Sequence, residues 1–299
     1  MTLSPDQIEA MTRFAGRLAD AARAVILPYF RTDMPVDDKA DLWGGAKGYD
    51  PVTAADKGAE AAIRALIEAE YPGHGILGEE YGEKTGTEPL TWVLDPIDGT
   101  RAFITGLPLW GTLIALNDGT APVIGVMDQP YTGERFTGNP DGAFLERIAD
   151  SLNRQFAQVS LNRAVSGKLV STSPETALGT KRLKTRACPG LAQARLMTTS
   201  PHLFRTPETQ AAFTRVADRA QLVRYGGDCY AYAMVAAGQV DAVIETNLEA
   251  YDIQALIPIV RGAGGQVTDW TGGDAQAGGS VVATGDARVH AEILALLNA

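Results

Sequence analysis

The sequence predicts a layered α/β (α+β) fold, and three features lead there. Two long segments repeat apolar residues at steps of three and four. Short apolar runs of strand length follow, separated by turn residues. The second half then alternates turn, helix, turn and strand. Runs of both kinds pack as helices layered on sheets. The 299 residues suffice for a large core. They read as two intimately packed halves, 1–160 and 161–299, forming one compact unit.

The first element is an amphipathic helix over 6–30, marked by Ile8, Met11, Ala15, Leu18, Ala22 and Val25, with Pro28 stopping or kinking it. Residues 33–51 are rich in Gly, Pro and charge and read as a loop or hairpin. A second helix spans 56–70, with Ala59, Ala62, Ile63, Leu66 and Ile67 on one face, and YPGHG ends it. Strand-like runs occupy 75–80, 91–95, 111–117 and 122–128. Residues 140–180 break this pattern with NPDG, a short amphipathic helix near 145–156, and a polar stretch. They read as an insertion or hairpin at the seam between the halves. Beyond it come a strand at 194–200 and helices at 207–220 and 229–238. A strand at 240–245 and an apolar helix opened by Tyr251 and Asp252 follow. Strands at 266–269 and 280–285 and a last helix at 287–298 close the chain.

Composition limits the function. Apolar residues make up 45%, the mean hydropathy is −0.06, and no apolar run approaches the roughly 18 residues of a membrane span. The first residues, MTLSPDQIEAMTRF, show no signal peptide. Two distant cysteines, Cys188 and Cys229, fit a reduced cytoplasmic chain better than a disulfide scaffold. A net charge of −10 argues against nucleic-acid binding and would repel a phosphate unless local cations reverse the field.

That charge makes the stretch WVLDPIDGT (92–100) informative. An apolar strand delivers Asp95 at its carboxyl end, where active-site loops sit in layered α/β proteins. Pro96 fixes the turn and Gly99 lets the backbone approach a ligand. The amides of Gly99 and Thr100 open a helix or nest able to hold an anion. Asp95 and Asp98 would repel each other without a counter-ion, and a divalent cation such as Mg²⁺ resolves the conflict. Taken alone, the stretch also reads as an acidic turn with an aspartate cap. Glu79, in GEE (78–80), ends a short apolar run. It is either a solvated strand end or a third carboxylate on the same cation. Asp252 is explained by capping the helix it opens, yet a capping carboxylate keeps an oxygen free for a metal.

Taken in order, GEE, then WVLDPIDGTRAF, then YD opening an apolar helix that ends GAGG (262–265) resembles the inositol monophosphatase family. The likeness runs from the first helix through PVTAAD (51–56) to VTDWTGG (267–273). It implies an α-β-α-β-α sandwich of the inositol monophosphatase and fructose-bisphosphatase type, usually a homodimer. It also implies catalysis by two to three Mg²⁺ ions per site with no covalent intermediate. By position, Glu79, Asp95 and the carbonyl of Ile97 would hold one ion, and Asp95, Asp98 and Asp252 a second. Glu79 with waters would hold a weaker third. Thr100 with Glu79 would place the attacking water, the Gly99 and Thr100 amides would receive the phosphate, and Asp56 would lie behind the site.

Departures from the common pattern refine the resemblance. YDIQAL replaces WD followed by small residues. The stretches RAFITGLPLWGTLIAL, GVMDQPYTGERF and YGGDCYAYAMVAAG are most similar to the histidinol-phosphate phosphatases of bacteria and plants. On that reading Asp228 and Glu245 face the leaving group; Glu245 matches a glutamate that the inositol-phosphate enzymes also use, so Asp228 is the residue that separates the two substrates. Asp228 could pair with the substrate amine, or it could cap the following helix. Arg224 is either a surface charge or a contact to a partner subunit's substrate. Lys47 is either near a third metal or simply solvated. Tyr230, Tyr232 and Cys229 read as packing residues, and His74 and His202 as loop residues. The alternatives are an inositol-phosphate or 3′-phosphonucleotide phosphatase, or a non-catalytic regulator of the same fold that binds protein or RNA. The regulator is disfavoured because Glu79, Asp95, Asp98, Thr100 and Asp252 are all present.

Overall fold

The computed structural model describes residues 3–33, 35–38, 51–148 and 180–299. Helix α1 (Pro5–Ile26) starts where Ser4 and Gln7 cap each other's backbone amides. Its buried stripe holds Ile8, Met11, Ala15, Leu18 and Ala22, as the spacing predicts. Pro28 ends it in a 3₁₀ turn, Leu27–Tyr29. Strands β1 (Asp37–Asp38) and β2 (Pro51–Val52) pair antiparallel, so the described ends of the Gly-rich 33–51 segment form a small ladder. Residues 39–50, with Lys47, lie outside the described residues. Helix α2 (Ala54–Glu70) is capped by Thr53 and buries Ala55, Ala59, Ile63 and Ile67.

The strands that follow are β3 (Gly75–Gly78), β4 (Gly82–Lys84), β5 (Thr91–Asp98), β6 (Gly111–Asn117), β7 (Pro122–Gln129), β8 (Glu134–Asn139) and β9 (Gly142–Arg147). A five-residue helix, α3 (Thr100–Ile104), leaves β5. With β10 (Lys181–Arg182) they build, among the described residues, an eight-stranded sheet of order β10-β9-β8-β7-β6-β5-β3-β4. It is antiparallel except where β3 runs parallel to β5. Residues 142–147 correct the sequence reading of a helix near 145–156. NPDG is the turn of a hairpin, and β9 pairs with β8 along its whole length. Cross-strand pairing there overrides the local helical spacing, because Ala143 is buried against the next layer. Residues 149–179, including the rest of that expected helix and the 160/161 boundary, lie outside the described residues.

The second sheet combines β11 (Arg195–Thr198), β12 (Leu222–Tyr225), β13 (Ala242–Leu248), β14 (Gln266–Asp269) and β15 (Gly279–Thr284), in the order β12-β11-β13-β15-β14. Its helices are α4 (Pro207–Ala217), α5 (Asp228–Ala236), α6 (Ala250–Ile253), α7 (Leu256–Gly262) and α8 (Ala287–Leu297). Strand β12 is absent from the sequence reading, because its exposed Leu222, Arg224 and Tyr225 give no alternation.

The layers run α1/α2, first sheet, α5 to α7, second sheet, α4/α8, the predicted α-β-α-β-α order. Among the described residues, three apolar cores fill the spaces between them. Phe14, Leu18, Ile63 and Trp92 pack under α1 and α2. Met127, Phe136, Val243 and Ile257 pack between the sheets. Phe204, Phe213 and Ile293 pack under α4 and α8. The helix layer lies very close to the first sheet. A Cβ on Gly125 of β7 would stand 1.9 Å from the Ala255 carbonyl oxygen, and one on Gly138 of β8 would stand 2.2 Å from Ile259 N. Backbone therefore rests on backbone, fixing the depth of α7 and of Asp252 just before it. No helix among the described residues is long and apolar enough to cross a membrane.

Candidate active site

Strand β5 is buried at the centre of the first sheet, and its register against β6 shifts between Asp95 and Asp98. Such a bulge re-aims side chains at the end of a strand. Thr112 Oγ1 holds the bulge by donating to the Pro96 carbonyl at 2.8 Å, and Thr100 Oγ1 donates to the Ile97 carbonyl at 3.0 Å. The Ile97 oxygen keeps a second lone pair for another partner. Beside β5, the pairing of Gly78 with Leu94 sets Glu79 next to Asp95, close enough for its charge to add to burial in raising the Asp95 carboxyl. Asp252 arrives from the other half. It is the third residue of the short helix α6, not its cap. Glu249 caps that helix, and Glu249 N donates to Asp252 Oδ2 at 2.7 Å.

Asp95, Asp98 and Asp252 each present an oxygen within 4.8 Å of the others. Asp95 Oδ1 is buried with no hydrogen-bond partner, a costly state for a carboxylate. The electrostatics agree with the geometry. Burial, then the charges of Glu79, Asp98 and Asp252, hold the Asp95 carboxyl well above its ordinary range. Burial first, then Asp98, does the same to Asp252. Asp98 is pushed up by burial to about 6, although the Cys229 backbone amide donates to it at 2.6 Å. Four carboxyl groups around an orphaned oxygen are an oxygen-rich donor set that a hard divalent cation satisfies. Asp56, behind Glu79, is buried and raised to about 6, and accepts from Thr53 N at 2.8 Å and Thr53 Oγ1 at 2.5 Å.

Gly99 turns the chain from β5 into α3 at φ 83°, a left-handed conformation. A Cβ there would lie 3.1 Å from both Cβ and Cγ of Asp228. Gly99→Ala is therefore expected to cost about 1–2 kcal/mol in denaturant unfolding and to lower activity by displacing Asp228. Wild-type stability and rate in that variant would refute the close packing.

A cavity of about 240 Å³ opens beside the cluster, walled by Asp98, Asp252, Gly99, Thr100, Asp228 and Glu245. Asp228 does not act as a cap. Gly227 is the cap, and Asp228 is the first helical residue, at a strained φ of 43°. Burial, then Asp98 and Glu245, hold its carboxyl well above the ordinary range, opposed by Arg101. Glu245 is buried and pushed up to about 7 while accepting from Thr199 N at 2.8 Å and the Tyr232 hydroxyl at 3.0 Å. Tyr232 is thus a packing residue that also orients Glu245. His74 is buried and its Nδ1 accepts from the Trp92 indole at 3.1 Å, a core contact. Arg224 stands exposed on edge strand β12 and does not line the cavity.

The sequence reading missed Thr199, Arg205 and Asn247, which also line the cavity. They come from segments following β11 and ending β13, and no local pattern marks them. Arg205 has no ion-pair partner among the described residues.

Fold and site together define a layered α/β protein whose carboxylate cluster stands beside the Gly99 turn at the mouth of a cavity. The chain belongs to the inositol monophosphatase family of phosphatases, whose profile matches residues 7–299. It is 40% identical to the bifunctional chloroplastic phosphatase IMPL2 of Arabidopsis thaliana, over 98% of this chain and 76% of that protein. It is 33% identical to the histidinol-phosphatase of Mycobacterium tuberculosis, over 89% of each. Among solved structures, an inositol monophosphatase from Zymomonas mobilis superposes with a TM-score of 0.77 at 36% identity. That match covers 99% of this chain and 100% of the other.

Proposed function

We propose that the protein hydrolyses L-histidinol phosphate to L-histidinol and phosphate. The observation that carries this reading is the placement of Asp228 beside Glu245 on the cavity wall, in addition to the acidic cluster. A carboxyl group at Asp228, beyond those needed for a cation, suits a leaving group that bears an ammonium and an imidazole, and a charge-assisted contact of that kind is worth about 1.5–3 kcal/mol. The likeness to the M. tuberculosis histidinol-phosphatase points the same way.

Glu79, Asp95 and the Ile97 carbonyl would hold one Mg²⁺, Asp95, Asp98 and Asp252 a second, and Glu79 a weaker third. Bound there, Mg²⁺ neutralises phosphate charge, acidifies water and steadies the departing oxygen. The chain's own groups do the rest. The Gly99 and Thr100 amides receive the phosphate oxygens. Glu79 and the Thr100 hydroxyl orient water for in-line attack on phosphorus; Glu79 accepts its proton as the ester P–O bond breaks, and solvent water protonates the departing oxygen to give the alcohol. Asp228 and Glu245 hold the amino alcohol so that its ester oxygen faces the cluster. Arg224 enters this scheme only through the partner of a homodimer. Both cysteines are buried free thiols, in keeping with a reducing, cytoplasmic setting.

Phosphate release from L-histidinol phosphate and from inositol 1-phosphate, with Mg²⁺ or EDTA, tests the assignment. Histidinol phosphate is expected to be preferred by tenfold or more, and Asp228→Ala to lose that margin, about 1.4 kcal/mol. Equal or faster turnover of inositol phosphate would transfer the assignment to that substrate. No Mg²⁺-dependent release from either would favour a regulatory role for the fold.

A further inference from the structure

Glu60 is a carboxylate with no solvent exposure, on α2 one turn beyond Asp56. A buried carboxylate is tolerated only where its oxygens are fully engaged, and the partners of this one are unusual. Its Oε2 accepts from Glu80 N at 2.7 Å, and its Oε1 accepts from Tyr81 N at 3.2 Å and from Arg64 Nε at 2.7 Å. The other arm of Arg64 donates to the Gly82 carbonyl. Every one of these backbone contacts falls on the three residues after Glu79. Strand β3 also lies directly on the carboxylate, since a Cβ on Gly78 would stand 2.0 Å from Glu60 Oε1. From the opposite side, Glu79 N donates to the Leu94 carbonyl at 3.2 Å.

We propose that Glu60, locked by Arg64, is the positioning residue for Glu79. It grips the two amides that follow Glu79 while β5 grips the amide of Glu79 itself. The side chain between them is thereby held against Asp95. The inference rests on the reading of Glu79 as a cation-holding group. It adds a device outside the cluster that sets where that group stands. The turn from Glu79 to Tyr81 is held by Glu60, since β3 and β4 on either side of it pair over only three residues.

The test compares full-length wild type, Glu60→Gln and Ile63→Val. Ile63→Val trims the buried face of the same helix and controls for loosened packing. Glu60→Gln turns an amide NH₂ toward a backbone N–H and loses one grip. Calorimetric titration of EDTA-stripped protein with Mg²⁺ is expected to show about tenfold weaker binding in Glu60→Gln. Amide exchange at Glu80 and Tyr81 should be faster, and excess Mg²⁺ should restore most of the turnover. Ile63→Val should bind Mg²⁺ within twofold of wild type despite a lower melting temperature. Wild-type Mg²⁺ affinity in Glu60→Gln would overturn the inference, as would equal losses in both variants. A wild type that takes up no Mg²⁺ would instead overturn the cation reading of Glu79, and this inference with it.

Discussion

Asp95→Asn is expected to lower kcat/KM for phosphate-ester hydrolysis by about a thousandfold or more, equivalent to about 4 kcal/mol of transition-state stabilisation. The same variant should melt at a higher temperature than wild type in EDTA at pH 8. Both effects have one cause. Asp95 is buried, one of its oxygens lacks a partner, and Glu79, Asp98 and Asp252 all raise its proton affinity. Without a cation its charge strains the fold, and the amide relieves that strain. With a cation the charge is what the site requires, and the amide removes it. Initial rates and thermal unfolding on one preparation check both halves. A variant that is inactive and also less stable in EDTA would refute the account.

The second large effect is a pH dependence opposite to ordinary acid denaturation. Metal-free protein is expected to lose stability as pH rises from 5 to 8. Glu245 is raised from 4.5 to about 7, and Asp56 and Asp98 from 3.8 to about 6. A carboxyl group raised on folding keeps its proton in the folded state where the unfolded chain has released it. Its stabilisation is complete below the unfolded value, near pH 4, and is lost as pH climbs through 6 and 7. For Glu245 the difference, 7 minus 4.5, corresponds to about 3 kcal/mol. The groups share charge, so their contributions do not add. Below pH 4 the sign reverses, because partners such as Arg288 hold Asp286 below the ordinary carboxylate range. Mg²⁺ at a hundred times its dissociation constant should return about 2.7 kcal/mol, with its largest benefit at pH 8. Melting curves at pH 5, 6.5 and 8, with EDTA or Mg²⁺, decide it. A metal-free melting temperature that is flat or rises over that range would refute the account.

Much of this site was legible because its chemistry is local. Asp95, Asp98, Gly99 and Thr100 occupy one strand-to-helix turn, and an apolar run announces the strand. Glu79 was legible because it too ends such a run, and parallel pairing sets it beside Asp95. The details that escaped depend on distant partners. Asp252 looks like a helix cap, but Glu249 takes that role. Asp228 also looks like a cap, but it sits in a strained conformation against Gly99. Glu60 looks like any polar position of an amphipathic helix, since nothing in its neighbours shows that a turn beyond residue 78 folds onto it. Strand β9 was misread because Leu145, Ile148 and Leu152 recur at steps of three and four, as on a helix face, whereas pairing with β8 decides the outcome.

The seat of α7 on β7 and β8 also bears on the order of events during folding. Gly125 and Gly138 bring two backbones together with no side chain between them to yield, so this contact is either made in full or absent. Asp252 stands just ahead of α7 and is delivered only when that contact closes. During synthesis, Glu79, Asp95 and Asp98 emerge well before it, as an incomplete set of carboxylates. Bringing Asp252 to Asp95 closes a loop of about half the chain, whose entropy cost must be met before the contact rewards it. Assembly of the full carboxylate cluster is therefore coupled to the completion of tertiary structure, and an unfinished chain cannot anticipate it.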